Sequence, residues 1–178
     1  MASRLGIPKK IIDLVEGDSG ETIEETRRLQ RILTNLCYEG KPSLGRNLKQ
    51  ARQALALFSR DLMEHMDFEE KVTFPYLGTH VPKLELLISL LCSEHDEFRR
   101  NLRSLDFWLK ELAEKEDGRN RMTVLEKVKE LGTFLAYLLQ NHLLEESEIL
   151  YRVADQELRP DEKRQLVKRI NEQNHRGR

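Results

Sequence analysis

The sequence predicts an all-α fold: an up-down-up-down antiparallel four-helix bundle with short additional terminal helices. Three observations carry this. Apolar residues recur every three or four positions along several long segments, the period of a helix with one buried face. Gly and Pro number only 9 and 5 in 178 residues, while Leu, Glu, Lys and Arg, all good helix formers, are abundant. The periodic segments are joined by short polar turns, which makes successive helices antiparallel neighbours.

The elements follow in order. A short helix is expected from Ile7 to Val15, with Pro8 tolerated in its opening turn. The run EGDSGE then breaks the pattern, and Asp18 or Ser19 can cap a first long helix from Glu21 to Tyr38. EGKPS (39–43) reads as a turn whose Ser43 caps a second helix, ending at Phe74 because Pro75 opposes continuation. GTHVP (78–82) leads to a third helix, Lys83 to Glu116. KEDGRN (115–120) turns the chain into a fourth, Met122 to Asp155. Arg159-Pro160-Asp161 restarts a short helix from Glu162 to Asn171, before a frayed tail. The domain organisation is then an extension (1–18), the bundle (19–158) and a terminal helix with tail (159–178).

Each long helix has an inward stripe. The second gives Leu48, Ala51, Leu55, Phe58, Leu62, His65, Glu69 and Val72. The third runs through Leu84, Ile88, Leu91, His95, Phe98, Leu102, Leu105, Leu109 and Leu112. The fourth gives Leu125, Val128, Gly132, Leu135, Leu139, His142, Glu146, Ile149 and Val153. His65-x-x-x-Glu69 and His142-x-x-x-Glu146, with His95, therefore stand where Leu would be expected. Glutamate is almost never fully buried unless paired or bound. At 1.5 Å rise per residue, the three histidines all fall roughly 13 to 20 Å from one end of the bundle. Any one of them alone reads as a core histidine satisfied by a nearby glutamate. Together, in phase and in one layer, they read as metal ligands, and nitrogen with carboxylate oxygen suits iron, zinc or manganese.

Bulk properties exclude several classes. The formal net charge is −1, with 30 Lys and Arg against 31 Asp and Glu, so the footprint of a nucleic-acid binder is missing. The amino terminus lacks the apolar region and cleavage site of a signal peptide. No stretch approaches about 18 uninterrupted apolar residues, so no membrane span is expected. Cys37 and Cys92 lie in no motif and read as reduced thiols of a cytoplasmic protein. Oligomeric state is not encoded in any recognisable pattern. Glu70 and Glu145 step off the stripes and are expected to be solvated, the alternative being a role in supporting the neighbouring ligands. Arg99, one turn after His95, is a candidate partner near the site. Tyr38, Tyr76, Tyr137, Tyr151 and Trp108 read as packing or interface residues, and Cys92 as a packed thiol.

These residues resemble the hemerythrin-like (HHE cation-binding) domains. The resemblance runs from Thr22 to Leu158 and is carried by LMEHMDFEEKVTFPYL (62–77), SEHDEFRRNLRSL (93–105) and NHLLEESEILYRVADQEL (141–158). It implies a pair of non-haem irons bridged by Glu69 and Glu146 and capped by His65, His95 and His142. It also implies a small diatomic partner, O2 or NO. The family's remaining histidine, on the first helix, has no counterpart. That segment is Ile23-Glu24-Glu25-Thr26, with Thr26 at the histidine's position. Glu24 or Glu25 could substitute as an oxygen ligand, or the site could hold one metal. Two other functions are implied by parts of the family. One is an iron-dependent redox or iron–sulfur repair enzyme, whose representatives typically carry an extra cysteine-bearing amino-terminal region. The other is a degenerate bundle with a structural or partner-binding role.

Overall fold

The structure, a computed structural model, describes the backbone of residues 12–38, 44–114 and 119–174, with side chains over 22–36, 45–114 and 120–172. Its secondary structure among the described residues is helical throughout. In order there are α1 (Ile12–Tyr38), α2 (Leu44–Phe68), a widened π turn (Glu69–Thr73) and α3 (Phe74–His80). A single 3-10 turn (Pro82–Leu84) leads to α4 (Glu85–Glu114) and α5 (Arg119–Glu145). A second π turn (Glu146–Tyr151), α6 (Arg152–Glu157) and α7 (Pro160–Asn174) complete the chain. Among the described residues no helix is long and apolar enough to cross a membrane.

Several boundaries differ from those expected. The run EGDSGE does not interrupt α1, which is one helix from Ile12 to Tyr38. Gly17 and Gly20 each weaken a helix by about 1 kcal/mol, but neither terminates one. The buried stripe of Leu29, Leu33 and Leu36 anchors α1 in the core. The start of the expected Ile7–Val15 helix, the turn EGKPS, most of KEDGRN and the last residues of the tail lie outside the described residues.

Pro75 does not stop the second helical segment. The chain first widens into the turn Glu69–Thr73, and Pro75 then sits in the first turn of α3. There its fixed φ suits the first turn of a helix. The helical path ends instead at Val81, whose φ of −133° and ψ of 73° leave the helical region. Downstream, α7 starts at Pro160, two residues before the expected Glu162. Arg159 N–H donates to Glu162 Oε2 at 2.8 Å, which is the backward half of a capping box.

Packing runs in a closed ring: α1 against α2 and α5, and α4 likewise against α2 and α5. Gly132 on α5 lets α1 approach closely, since a Cβ there would lie 2.5 Å from Leu33 Cδ1. Burial falls into two apolar clusters. The larger includes Leu33, Leu55, Phe58, Leu62, Met66, Phe98, Leu105 and Leu139. The smaller joins α3, α6 and α7 through Phe74, Leu77, Leu91, Leu150, Tyr151, Ala154 and Leu166. Along three separate helical paths, the polar residues of interest fall where one cluster gives way to the other. Glu69 lies between Met66 and Phe74, His95 between Leu91 and Phe98, and Glu146 between Leu143 and Leu150.

The π turns also alter the inward stripe. Ile149, expected inside, is 47% exposed, and Leu150 is buried in its stead. Thr73 is likewise buried where Val72 was expected. A π turn closes i→i+5 rather than i→i+4 hydrogen bonds, so each shifts the helical phase by one residue.

Candidate metal centre

Four side chains converge between the two clusters. One ligand-type atom from each of Glu69, His95, His142 and Glu146 lies within 4.8 Å of all the others, and all four residues are buried. They come from the first π turn, α4, α5 and the second π turn, so both widened turns begin on a carboxylate of the cluster. His65, on the last turn of α2, stands beside them with Nε2 3.5 Å from Glu69 Oε2.

Hydrogen bonding assigns the imidazole protons. His95 Nδ1 donates to Glu70 Oε1 at 2.8 Å, and His142 Nδ1 donates to Glu94 Oε2 at 2.7 Å. A carboxylate oxygen only accepts, so Nδ1 carries the proton in both rings, and whenever a ring is neutral its Nε2 carries the lone pair. Those two Nε2 atoms face each other at 3.1 Å. Two facing lone pairs repel unless a cation or proton lies between them. His95 Nε2 is also 3.5 Å from Glu69 Oε2, and His142 Nε2 is 3.1 Å from Glu146 Oε1.

The carboxylates are equally short of donors. Glu69 Oε2, both oxygens of Glu146 and His65 Nε2 are buried with no hydrogen-bond partner. Burying such atoms unpaired costs about 1–3 kcal/mol each, more when charged. Burial pushes Glu69 up, but the positive charge of His65, His95 and His142 when protonated outweighs it and holds the carboxyl at about 2. Glu146 goes the other way. Burial first, then the charge of Glu69, drive it well above its ordinary value. Two like charges this close are not both tolerated without a counterion. A bound cation supplies one, and imidazole nitrogen with carboxylate oxygen is a donor set for first-row transition metals. The residues fit a metal.

An outer ring of side chains orients these groups. Arg99 Nη1 bonds Glu70 Oε1 at 2.9 Å. Burial raises Glu70, but Arg99 and His95 outweigh it and keep the group below its ordinary value. Phe74 stacks on His95 with ring centroids 5.6 Å apart, and Phe98 meets His142 edge-on at 5.3 Å. Tyr151 OH donates to Glu69 Oε1 at 2.9 Å.

Of the residues expected at the site, the structure brings together Glu69, His95, His142 and Glu146, with His65 alongside. Glu24 and Glu25 are exposed on α1, and Glu24 pairs with Arg27 at 2.6 Å. Thr26 is buried, but its hydroxyl donates back to Thr22 O of its own helix at 2.7 Å. Glu70, expected in solvent, instead orients His95, and Arg99 holds it there. Glu145 is half-buried, with Oε2 shielded from solvent. Glu94 and Tyr151 were not anticipated. Glu94 adjoins His95 in sequence, so an acidic neighbour on the flank of a candidate ligand was the signal that could have found it.

The family model for the hemerythrin HHE cation binding domain matches residues 11–154. The chain belongs to that family of helical cation-binding domains. No curated protein matches the chain. α7 lies beyond the matched residues.

Proposed function

We propose that the chain is a non-haem iron protein that binds or senses a small diatomic molecule, O2 or NO. Its centre is a pair of irons inside an up-down-up-down bundle. One observation carries this reading: His95 Nε2 and His142 Nε2 meet at 3.1 Å beside buried carboxylate oxygens that have no hydrogen-bond partner. Glu69 and Glu146 would hold the metal through their carboxylate oxygens, with His65, His95 and His142 as nitrogen ligands. Bound iron would supply reversible electron donation to a diatomic ligand.

The protein's own residues prepare the site. Glu70 and Glu94 hold the Nδ1 protons, which fixes both rings and raises the basicity of Nε2. Phe74, Phe98 and the fully buried Leu91 and Leu139 keep water away from the cluster. α1 carries no histidine, so one imidazole of the family's set is missing.

Metal analysis of protein from iron-replete cells, with spectra recorded with and without oxygen, tests the proposal. The expected result is about two irons per chain, as in other di-iron helical bundles, with charge-transfer bands that respond to O2 or NO. Zinc or manganese in place of iron, or bands blind to both gases, would sink it. Reductant-driven turnover of peroxide or NO would favour a redox enzyme instead.

A further inference from the structure

Tyr151 is a buried phenol aimed at the same cluster, although the motif spacing does not single it out. The residue is 2% exposed, and its hydroxyl donates to Glu69 Oε1 at 2.9 Å across 82 positions of sequence. A regular α-helix would not produce this contact. Five residues beyond Glu146, an α-helix would have turned a side chain about 140° away from it. The turn over Glu146–Tyr151 is π-helical, and i→i+5 bonding stacks the fifth residue nearly above the first. Tyr151 therefore points the way Glu146 points.

The phenol makes the two carboxylates unequal. Glu69 has Oε1 engaged, leaving Oε2 unpartnered at 3.5 Å from both His65 Nε2 and His95 Nε2. Neither oxygen of Glu146 has a hydrogen-bond partner, although Oε1 lies 3.1 Å from His142 Nε2. One hydrogen bond to Oε1 fixes how the Glu69 carboxylate is rotated about its last bond, and so fixes where Oε2 points. The phenol is itself immobile. Its ring belongs to the apolar cluster of Phe74, Leu77, Leu150, Ala154 and Leu166, so no further side-chain freedom is lost in holding Glu69.

We propose that Tyr151 is a positioning residue for the metal centre: its hydroxyl locks Glu69 with Oε2 presented toward the histidine nitrogens, a restraint that Glu146 does not share. The inference rests on the metal-binding reading above. It differs from that reading in assigning distinct roles to two carboxylates that occupy matching places in the two His-x-x-x-Glu motifs.

The test uses the full chain, metal-free, titrated anaerobically with Co(II) against a chromophoric chelator. Cobalt's visible bands also report the arrangement of its ligands. Tyr151→Phe keeps the ring and removes only the donor. It is expected to bind Co(II) roughly 10- to 100-fold more weakly, the usual effect of losing a residue that orients a ligand, and to shift the visible bands. Tyr151→His, which restores a donor, is expected to recover part of the affinity. A purely structural role would lower the melting temperature of the metal-free protein and leave affinity and bands alone. That result overturns the proposal. If the wild type binds no cobalt, the metal-binding reading falls and this one with it, a failure visible before any variant is made.

Discussion

Thr26 shows how far a single position can be located from contacts alone. Leu33 lies against Gly132, and α1 also touches the turn Glu146–Tyr151. Only five residues of α1 follow Leu33, so α1 reaches that turn only by running opposite to α5. Counting from the Leu33–Gly132 contact, the α1 residue level with His142 is Ile23, while Thr26 is level with Leu139. The offset is about 4.5 Å along the axis, and the Thr26 hydroxyl is already spent on Thr22 O. Thr26→His is therefore expected to leave metal affinity unchanged in a chelator competition. It should lower stability by about 1–3 kcal/mol, because a larger ring is forced into a packed seam. A tenfold gain in affinity would instead place residue 26 at the cluster. The inward histidines and glutamates were legible because burial and period act on each residue separately. Glu94 and Glu70 were not, because their roles depend on which helix faces them, and that is a property of the assembled bundle.

Elements carry the part of the design that periodicity hides. EEKVT and ESEILY read as ordinary α-helix, yet both form π turns. Nothing in side-chain propensity separates the two, since what favours the extra residue is the tertiary placement of Glu69 and Glu146. The consequence is concrete: Leu150 and Tyr151 face inward while Ile149 faces out. α7 was anticipated from Pro160, but its role was not. Leu166 is fully buried among Leu77, Leu150 and Tyr151, and Tyr76 OH donates to Glu162 O at 2.8 Å. α7 thus completes the apolar cluster that holds the Tyr151 ring. Leu166→Ala should destabilise the protein by about 2–5 kcal/mol, read as a lower urea midpoint. A loss below about 0.5 kcal/mol, the range of surface substitutions, would show that α7 is not docked as described.

At the scale of the whole molecule, a polar layer lies between two apolar clusters. Glu146 is driven toward its neutral form and Glu69 is held ionised, so without a cation the layer depends on protons held among its buried carboxyls and imidazoles. A divalent ion would bind only the folded arrangement, because the candidate ligands are drawn from residues 65 to 146 and meet only when the helices pack. Such binding adds RT ln(1 + [L]/Kd) to stability, about 2.7 kcal/mol at a hundredfold excess over Kd. For a domain of this size each kcal/mol is worth roughly 2–4 °C in Tm, so one tightly bound ion should raise Tm by roughly 5–10 °C. Calorimetry on metal-loaded protein, then on the same sample after chelation and dialysis, reads this directly. The rise should scale with the logarithm of free metal and should be lost in His142→Ala, which removes a nitrogen from the middle of the layer. Identical melting with and without metal would mean that the layer is satisfied by protons alone, and the cation-binding reading would fail at the level of the whole fold.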